Sequence, residues 1–196
     1  MGRTSLKEVR QQEIILAFYK VAKKIGLENA SIAKVADHLE INPSLIVHYF
    51  KTREALIEGL IHFILERYSD IYKTNGGHYT TAKELTQLMD NLFSRTWDKL
   101  FDDSVFYSCY ALTYRDKKIR ASFKSLHDSL RESLRDALHK ACANGVIQLR
   151  NEKETAEVIF ALIEGAYYYL GMVDSPTENT RKLNMMKRQA LTLLGL

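Results

Sequence analysis

The chain is poor in the residues that build metal sites, disulfide frameworks and rigid loops. Its 196 residues include two cysteines and two prolines. Cys109 and Cys142 lie far apart and lack metal-site spacing, so we expect two reduced thiols packed in the protein. The sequence contains no Glu-x-x-His pair of a di-iron bundle, no glycine-rich phosphate loop and no nucleophile elbow. We therefore expect no metal, no cofactor and no catalytic residues, and a protein that is not an enzyme.

Long apolar runs are also missing. No segment reaches the roughly 20 apolar residues that a membrane-spanning helix needs, and no signal-peptide pattern opens the chain. We therefore expect no membrane partner and a cytoplasmic location. Hydrophobic residues make up 46% of the chain, which is typical of a folded globular protein rather than a disordered one.

What the sequence does contain is helical periodicity along nearly all of its length. Nothing in it resembles an array of strands, and Pro43 and Pro176 both lie beside predicted helix boundaries. The predicted fold class is all-α with about nine helices. These begin near Thr4, Ser31, Asn42, Arg53, Thr81, Phe106, Asp116, Asn151 and Thr177. We expect the helix from Thr81 to reach about Leu100 and the helix from Asn151 to reach about Val173.

A short stretch near the N-terminus contains three helix starts. Ser31 caps a helix whose apolar residues fall on one face. Asn42 caps a second helix with Pro43 in its first turn, and Thr52 caps a third helix that begins at Arg53. Two short helices joined tightly, the second too brief to build its own core, form a helix-turn-helix. The second helix of such a unit fits the DNA major groove.

The helix-turn-helix also carries a family signature. It reads Ile-Asn-Pro-Ser-Leu-Ile-Val-His-Tyr-Phe over residues 41–50 and Lys-Thr-Arg-Glu-Ala-Leu over residues 51–56. This segment resembles the DNA-binding signature of the TetR family of transcriptional regulators. Residues 18–26 and the Ser-Ile-Ala-Lys-Val-Ala segment at 31–36 are similar to the family's first helix and to the start of its second.

Three positions depart from the family pattern. The turn position that is usually glycine is Glu40, and a non-glycine residue in a left-handed conformation costs up to about 1 kcal/mol. Val47 occupies a position that is often tyrosine, which removes a hydroxyl that reaches phosphate. Ser44 stands where the family often has glycine.

The resemblance implies two parts. Residues 1–52 are expected to form a three-helix DNA-binding head, and residues 53–196 a helical ligand-binding and dimerisation core that starts with a connecting helix over residues 53–73. Charge agrees with this division. Residues 1–53 hold nine Lys/Arg and five Asp/Glu, whereas residues 54–196 hold nineteen of each. A basic head is what phosphate contact requires.

Position on the helix-turn-helix ranks the candidate DNA contacts. The leading half and one face of the second helix are predicted to meet base edges through Ser44, Leu45 and His48. Residues that flank this helix or begin a neighbouring one are predicted phosphate contacts: Ser31, Lys34, Tyr49, Lys51 and Arg53. For Tyr49, packing against the fold stays open as an alternative. For Lys34, the alternative is a solvated side chain.

The helix predicted from Asn151 is apolar on two faces, so both faces need cover. One face consists of Val158, Ala161, Leu162, Gly165, Tyr168 and Tyr169. The other consists of Ile159, Phe160, Ile163, Ala166 and Leu170. We expect one face to meet the core and the other a second copy, although a central core helix is the alternative and the pattern leaves open which face is which. The family dimerises through its last two long helices. The resemblance therefore implies a homodimer, with the interface assigned to Ile159, Ile163, Ala166, Leu170, Met186, Ala190 and Leu194.

Aromatic residues are concentrated between Thr81 and Gly145. Their apolar rings and polar tips suit a small-molecule pocket, although an aromatic core would give the same pattern. The candidate ligand contacts are Phe93, Trp97, Tyr107, Tyr110, Tyr114, His127 and Tyr168. Residues 101–106 and 161–165 resemble the branch of the family that includes choline-responsive repressors of betaine synthesis. In such a site, tyrosine rings hold a quaternary ammonium by cation–π attraction.

These observations predict a ligand-responsive transcriptional regulator, most simply a repressor that binds a palindromic operator in double-stranded DNA as a homodimer. An unidentified small-molecule effector would release it. The alternative is a small-molecule-binding or catalytic helical bundle with a non-functional DNA-binding head. His62 lies between Glu58 and Glu66 at helical spacing, and a solvated helix face explains this cluster more simply than a metal site.

Overall fold

The computed structural model describes residues 6–72, 77–94 and 102–196, with the backbone alone for residues 68–72. All regular structure in these ranges is helical, which confirms the all-α prediction. The nine α-helices of the described residues are α1 (Leu6–Ile25), α2 (Ile32–Leu39), α3 (Pro43–Tyr49), α4 (Arg53–Tyr72), α5 (Ala82–Leu92), α6 (Asp103–Ala111), α7 (Lys117–Ala143), α8 (Glu152–Leu170) and α9 (Pro176–Leu194). A short 3₁₀ turn, Leu112–Tyr114, follows α6.

Local capping explains where most helices begin. The first-turn backbone N–H groups of five helices donate to the side chains that the sequence singles out, which are Ser31, Asn42, Thr52, Thr81 and Asn151. At α5 the cap is reciprocal, because the Glu84 carboxylate accepts from the backbone N–H of Thr81. Hydrogen bonds from the backbone N–H and the hydroxyl of Thr80, together with the weaker effect of Thr81, hold the pKa of Glu84 below its ordinary value.

Three helix boundaries differ from the prediction. α5 ends at Leu92, and residues 95–101 lie outside the described part of the chain. α6 begins at Asp103 because the Asp102 side chain caps it. α8 ends at Leu170, where the N–H of Gly171 bonds back to the carbonyl of Tyr167. Periodicity continues past a helix end whenever the following residues are apolar, so it overestimates length at such places.

The described residues divide into two compact units. One contains those within Met1–Arg67 and Leu100–Lys124, and the other those within Tyr68–Lys99 and Ser125–Leu196. In the first unit α1, α2 and α3 pack together around fully buried side chains such as Ile14, Phe18 and Ile46. Gly59 on α4 allows this helix to approach α1 closely, because a Cβ added at Gly59 would lie 2.6 Å from Ile15 Cδ1 on α1.

Helix α6 joins the first unit by packing on α1. The backbone N–H of Asp102 donates to Tyr19 Oη at 2.6 Å, and Lys23 Nζ lies 3.4 Å from the Asp102 carboxylate. Burial disfavours the ionised form of Asp102. Hydrogen bonds from Ser104 and Lys23 outweigh that effect and lower the pKa of the carboxyl. The start of α6 is therefore fixed to α1 by polar contacts.

The second unit is built on the packing of α9 against α8 and α5. The phenol of Tyr167 on α8 donates to the carbonyl of Leu92 at 2.9 Å, and Lys187 on α9 pairs with Asp90 on α5 at 2.8 Å. Both contacts hold the C-terminal end of α5. Helices α8 and α9 are thereby positioned by the same element.

Both cysteines are free thiols. Cys109 is completely buried, and that burial raises the pKa of its thiol to about 12. Cys142 is half-buried, and desolvation raises its pKa as well. Neither thiol has the depressed pKa of a reactive nucleophile. In the described ranges, no helix is both long enough and apolar enough to cross a bilayer.

Candidate nucleic-acid interface

The turn of the helix-turn-helix is centred on Glu40. Its backbone is left-handed, with φ 55° and ψ 40°, which is the conformation that glycine adopts without cost. The N–H of the next residue, Ile41, donates to the carbonyl of Ala36 at 3.0 Å and closes the end of α2. Asn42 then caps α3 by accepting from the N–H of Ser44 at 2.9 Å. The unfavourable backbone conformation is thus located at Glu40, and the tight turn between α2 and α3 is preserved.

One face of α3 is buried and the opposite face is open. Ile46 is fully buried, and Phe50 at the end of the helix is 9% exposed. Beyond Pro43 in the first turn, the exposed side chains of α3 share an outward face, which continues to Lys51 after the helix: Ser44, Val47, His48 and Lys51. Burial of the inner face fixes the rotation of α3, so these four residues point away from the fold.

Val47 belongs to this face although it is absent from the predicted DNA contacts. It is 43% exposed and lies three residues after Ser44 on the same side of α3. That spacing was visible in the sequence. The family comparison draws attention to the hydroxyl that Val47 lacks and not to its apolar surface. An exposed methyl-bearing side chain on a recognition helix suits contact with a thymine methyl group.

The remaining residues of α3 are less accessible. Leu45 and Tyr49 are half-buried, and the ring of His48 meets the ring of Tyr49 edge-on at 5.0 Å between centroids. Tyr49 thus packs in part against its neighbour and keeps part of its surface open. Ser44 and His48 present the most accessible polar side chains of the helix.

The two predicted contacts on α2 differ in environment. Ser31 is half-buried, and its hydroxyl accepts from the N–H of Lys34 at 3.3 Å as the helix cap. Lys34 is exposed, and its ammonium donates to the carbonyl of Asn29 at 3.1 Å. Lys51, between α3 and α4, is also exposed.

Arg53 has a different set of partners from the other predicted contacts. It is half-buried at the first residue of α4, and its guanidinium donates to the backbone carbonyls of Leu27 and Ala30 at 2.5 and 2.8 Å. These carbonyls belong to the loop between α1 and α2. The sequence places Arg53 at a helix start, but the loop that binds it is far away along the chain.

The predicted ligand contacts fall in both compact units. In the first unit, the ring of Tyr110 meets those of Tyr114 and Phe123 at 6.2 and 5.5 Å. Tyr107 packs on Phe106, whose ring also meets Phe123 at 5.8 Å. We call these five residues the aromatic cluster. Tyr114 is its most exposed member at 73%.

The other predicted ligand contacts that the structure describes lie in the second unit. Phe93 is buried, and the ring of His127 lies 5.9 Å from that of Phe160, over which Arg131 is also placed. Nε2 of His127 is buried and, among the described residues, has no hydrogen-bond partner. Tyr168 is 63% exposed on α8. Trp97 lies outside the described residues.

The residues assigned to a dimer interface lie in the core of the second unit instead. Buried positions are Ile159, Ile163, Ala166, Leu170, Ala190 and Leu194, and Met186 is half-buried. Side chains already covered within one protomer leave little surface for a second copy. The sequence pattern leaves open which of the two apolar faces of α8 meets a second copy, so the interface stays a prediction.

The outer face of α8 is apolar and open. Its exposed residues, continued by Met172 in the turn after the helix, recur at alternating intervals of three and four positions: Val158, Ala161, Gly165, Tyr168 and Met172. We call this row the α8 seam. Such spacing forms a continuous stripe along a helix, and the small residues at its middle permit close approach of another helix.

In the described residues, α3 is the second helix of a helix-turn-helix and turns one open face outward beside the exposed Lys51. This arrangement is typical of DNA-binding transcription regulators of the helix-turn-helix class. Comparison with known families agrees. Residues 14–60 match the family of bacterial regulatory proteins of the tetR type, and residues 80–196 match the tetracyclin repressor-like C-terminal domain. The chain belongs to the TetR family. The N-terminal match includes all eight predicted DNA contacts.

A curated relative matches part of the sequence, and solved structures share the fold. The transcriptional regulator BetI of Yersinia pestis is 25% identical over 73 residues, which cover 37% of this chain and 37% of BetI. A TetR regulator from Haloarcula marismortui has a TM-score of 0.82 at 18% identity, with 95% of this chain and 97% of that one covered. A regulator from Saccharomonospora viridis, in complex with choline, has a TM-score of 0.73 at 16% identity over 95% and 96% of the two chains.

Proposed function

We propose that this protein is a repressor that binds a palindromic operator as a homodimer and leaves it when a small molecule binds. The observation that carries the proposal is the outward face of Ser44, Val47, His48 and Lys51. It combines a hydroxyl, an apolar group, an imidazole and a cation on the part of the fold that enters a major groove. In this proposal residues 1–52 read DNA and the remainder controls them, without catalysis.

The α8 seam supports the dimer. A row of exposed apolar residues on α8 favours a second copy of the same surface, and α9, which packs on α8, adds the exposed Met185 and the half-buried Met186. A two-fold axis between such surfaces makes the interface self-complementary. It would also set two recognition helices about 34–36 Å apart, one turn of DNA, on a palindromic site.

The aromatic cluster supports an effector site lined by aromatic side chains. Tyrosine rings arranged edge to face present faces that attract a quaternary ammonium. The choline complex of the Saccharomonospora viridis regulator shows that a protein of this fold accommodates such a ligand. We therefore propose choline or a related quaternary ammonium as the effector, with Tyr110 at the centre of the site.

Removal of the Lys51 ammonium is expected to weaken binding to every duplex by a similar factor. A lost phosphate contact lowers the slope of log K against log salt by about 0.9 for each protomer. We would measure it by fluorescence anisotropy for Lys51→Ala on overlapping duplexes from the DNA that flanks the gene, between low and high salt.

The matched control is Lys83→Ala, which removes an equally exposed lysine from α5 and is expected to leave the slope unchanged. If Lys51→Ala relaxes discrimination at a single base pair instead, Lys51 reads a base and the phosphate assignment is wrong. If the unmodified protein binds none of the duplexes, the alternative of a helical bundle with an inactive head is favoured.

Choline is expected to raise the melting temperature by several degrees. At a hundred times its Kd a ligand adds about 2.7 kcal/mol to the free energy of unfolding. In a chain of this size each kcal/mol corresponds to roughly 2–4 °C. A thermal shift titration with choline chloride would measure this effect, with sodium chloride at the same ionic strength as the control.

Tyr110→Ala removes the central ring of the aromatic cluster and is expected to abolish the choline-dependent shift. An equal shift with sodium chloride, or an unchanged choline response in Tyr110→Ala, would remove this site from the proposal. Operator binding would then depend on a different effector.

A further inference from the structure

The loop between α1 and α2 is bound by the first residue of α4. Nε of Arg53 donates to the carbonyl of Ala30 at 2.8 Å, and one terminal nitrogen donates to Leu27 at 2.5 Å and to Glu28 at 3.4 Å. Three carbonyls of one short loop thus share one guanidinium. We call this arrangement the Arg53 clamp.

Arg53 and Lys34 bind the same loop in different ways. Lys34 makes one bond to the loop, to Asn29, from an exposed ammonium that can rotate its other donors toward a phosphate. Arg53 is half-buried, and its rigid planar fork is directed at the loop by three acceptors. The geometry is therefore compatible with a phosphate contact for Lys34, whereas the Arg53 fork is engaged by the protein itself.

The Arg53 clamp closes a ring around the helix-turn-helix. Its acceptors precede Arg53 by 23 to 26 residues, and α2, the turn and α3 all lie between them. Ser31, which caps α2, follows directly after the last acceptor, Ala30. Lys51 and Thr52 alone separate the buried Phe50 from Arg53 at the other end. Both ends of the DNA-reading segment are therefore tied to each other.

The loop itself is anchored to the fold. The side chains of Leu27 and Ala30 are buried at 5% and 1% exposure, and the side-chain amide of Asn29 donates to the carbonyl of Ile25, the last residue of α1, at 2.8 Å. Hydrogen bonds from a charged donor are shorter and roughly twice as strong as neutral ones. The clamp thus connects the N-terminus of α4 to a loop that is held by buried side chains.

We infer that Arg53 is a positioning residue for DNA binding, which holds the recognition helix in place through the loop between α1 and α2 and does not itself bind phosphate. The inference rests on the proposed DNA-binding function. It assigns the salt-dependent contact next to α4 to Lys51 and the geometric role to Arg53. The two residues are close in sequence and act differently.

Three variants separate these roles: Arg53→Ala, Arg53→Lys and, as the control for a true phosphate contact, Lys51→Ala. Affinity for the overlapping duplexes that flank the gene would be measured across a salt series. A positioning role predicts that Arg53→Ala weakens binding about tenfold or more at every salt concentration with the slope unchanged. Arg53→Lys keeps the charge but lacks the fork, so it is expected to bind with intermediate affinity.

Hydrogen exchange of the intact protein provides a second readout that needs no DNA. Loss of the clamp is expected to speed amide exchange in residues 26–44, with far-UV circular dichroism unchanged. A slope that falls by about 0.9 per protomer in Arg53→Ala, or full affinity in that variant, overturns the inference. Full affinity in Arg53→Lys together with a lowered slope in Arg53→Ala assigns Arg53 to phosphate.

The hydrogen-exchange result also tests the positioning role of the Arg53 clamp separately from the proposed DNA-binding function. If the unmodified protein binds no duplex, the proposed function fails. Unchanged exchange in Arg53→Ala would show that the clamp does not position the segment, whatever the DNA result.

Discussion

Ala161→Glu is expected to produce a monomer that no longer binds its operator. Ala161 is exposed at the middle of the α8 seam, and glutamate is a good helix former, so the fold of the protomer should be unaffected. Pairing two such seams would bury an uncompensated carboxylate on each copy. A buried charge without a partner costs about 3–5 kcal/mol, which is at least a hundredfold in the dimer constant.

Sedimentation velocity would report the association state and anisotropy the DNA affinity. Loss of the dimer unlinks the two half-site contacts, so operator affinity is expected to fall by 10²–10⁴. Ala121→Glu is the matched control, because Ala121 is an exposed alanine on α7 and is not one of the seam residues. A variant Ala161→Glu that remains dimeric would place the interface elsewhere on the protein.

Ser44→Glu is expected to separate folding from DNA binding. Ser44 lies in the first turn of α3, where a carboxylate interacts favourably with the helix dipole, by about 0.3–1 kcal/mol. The melting temperature should therefore stay the same or rise. The same carboxylate would face phosphates and the acceptor-rich edge of the groove, so affinity for the operator is expected to fall at least a hundredfold.

The control for this variant is Ser133→Glu, which adds a carboxylate at an exposed position of α7. It is expected to change the DNA affinity by less than twofold. Retained operator binding in Ser44→Glu would mean that the outward face of α3 does not enter the groove, and the proposed function would lose its main support. A melting temperature that drops sharply would show that Ser44 packs against the fold.

Helix starts were predictable because their causes are local. Ser31, Asn42 and Thr52 each bind a backbone N–H two or three residues away, and the sequence displays both partners. The outward rotation of α3 was predictable for a similar reason, since Ile46 and Phe50 mark the inner face. The DNA-binding face stays a prediction, which rests on these nearby residues and on a family signature that covers the same segment.

Features that depend on distant residues were not predictable in this way. Both faces of α8 are apolar, and only its packing with α9 shows that the face of Ile159 and Ile163 is internal. Arg53 has the charge and position of a phosphate contact, and its loop partners become apparent only in three dimensions. Composition alone groups Tyr168 with the ligand residues, and only the fold shows that it lies exposed on the α8 seam.

The left-handed backbone of Glu40 makes the stability of the head adjustable without altering its chemistry. The conformational cost is confined to one exposed residue between α2 and α3, whose side chain the turn does not need. Replacement of Glu40 by glycine or asparagine, in evolution or by design, would therefore change the stability of the turn between α2 and α3. The outward face of α3, which we propose distinguishes one operator from another, would stay unchanged.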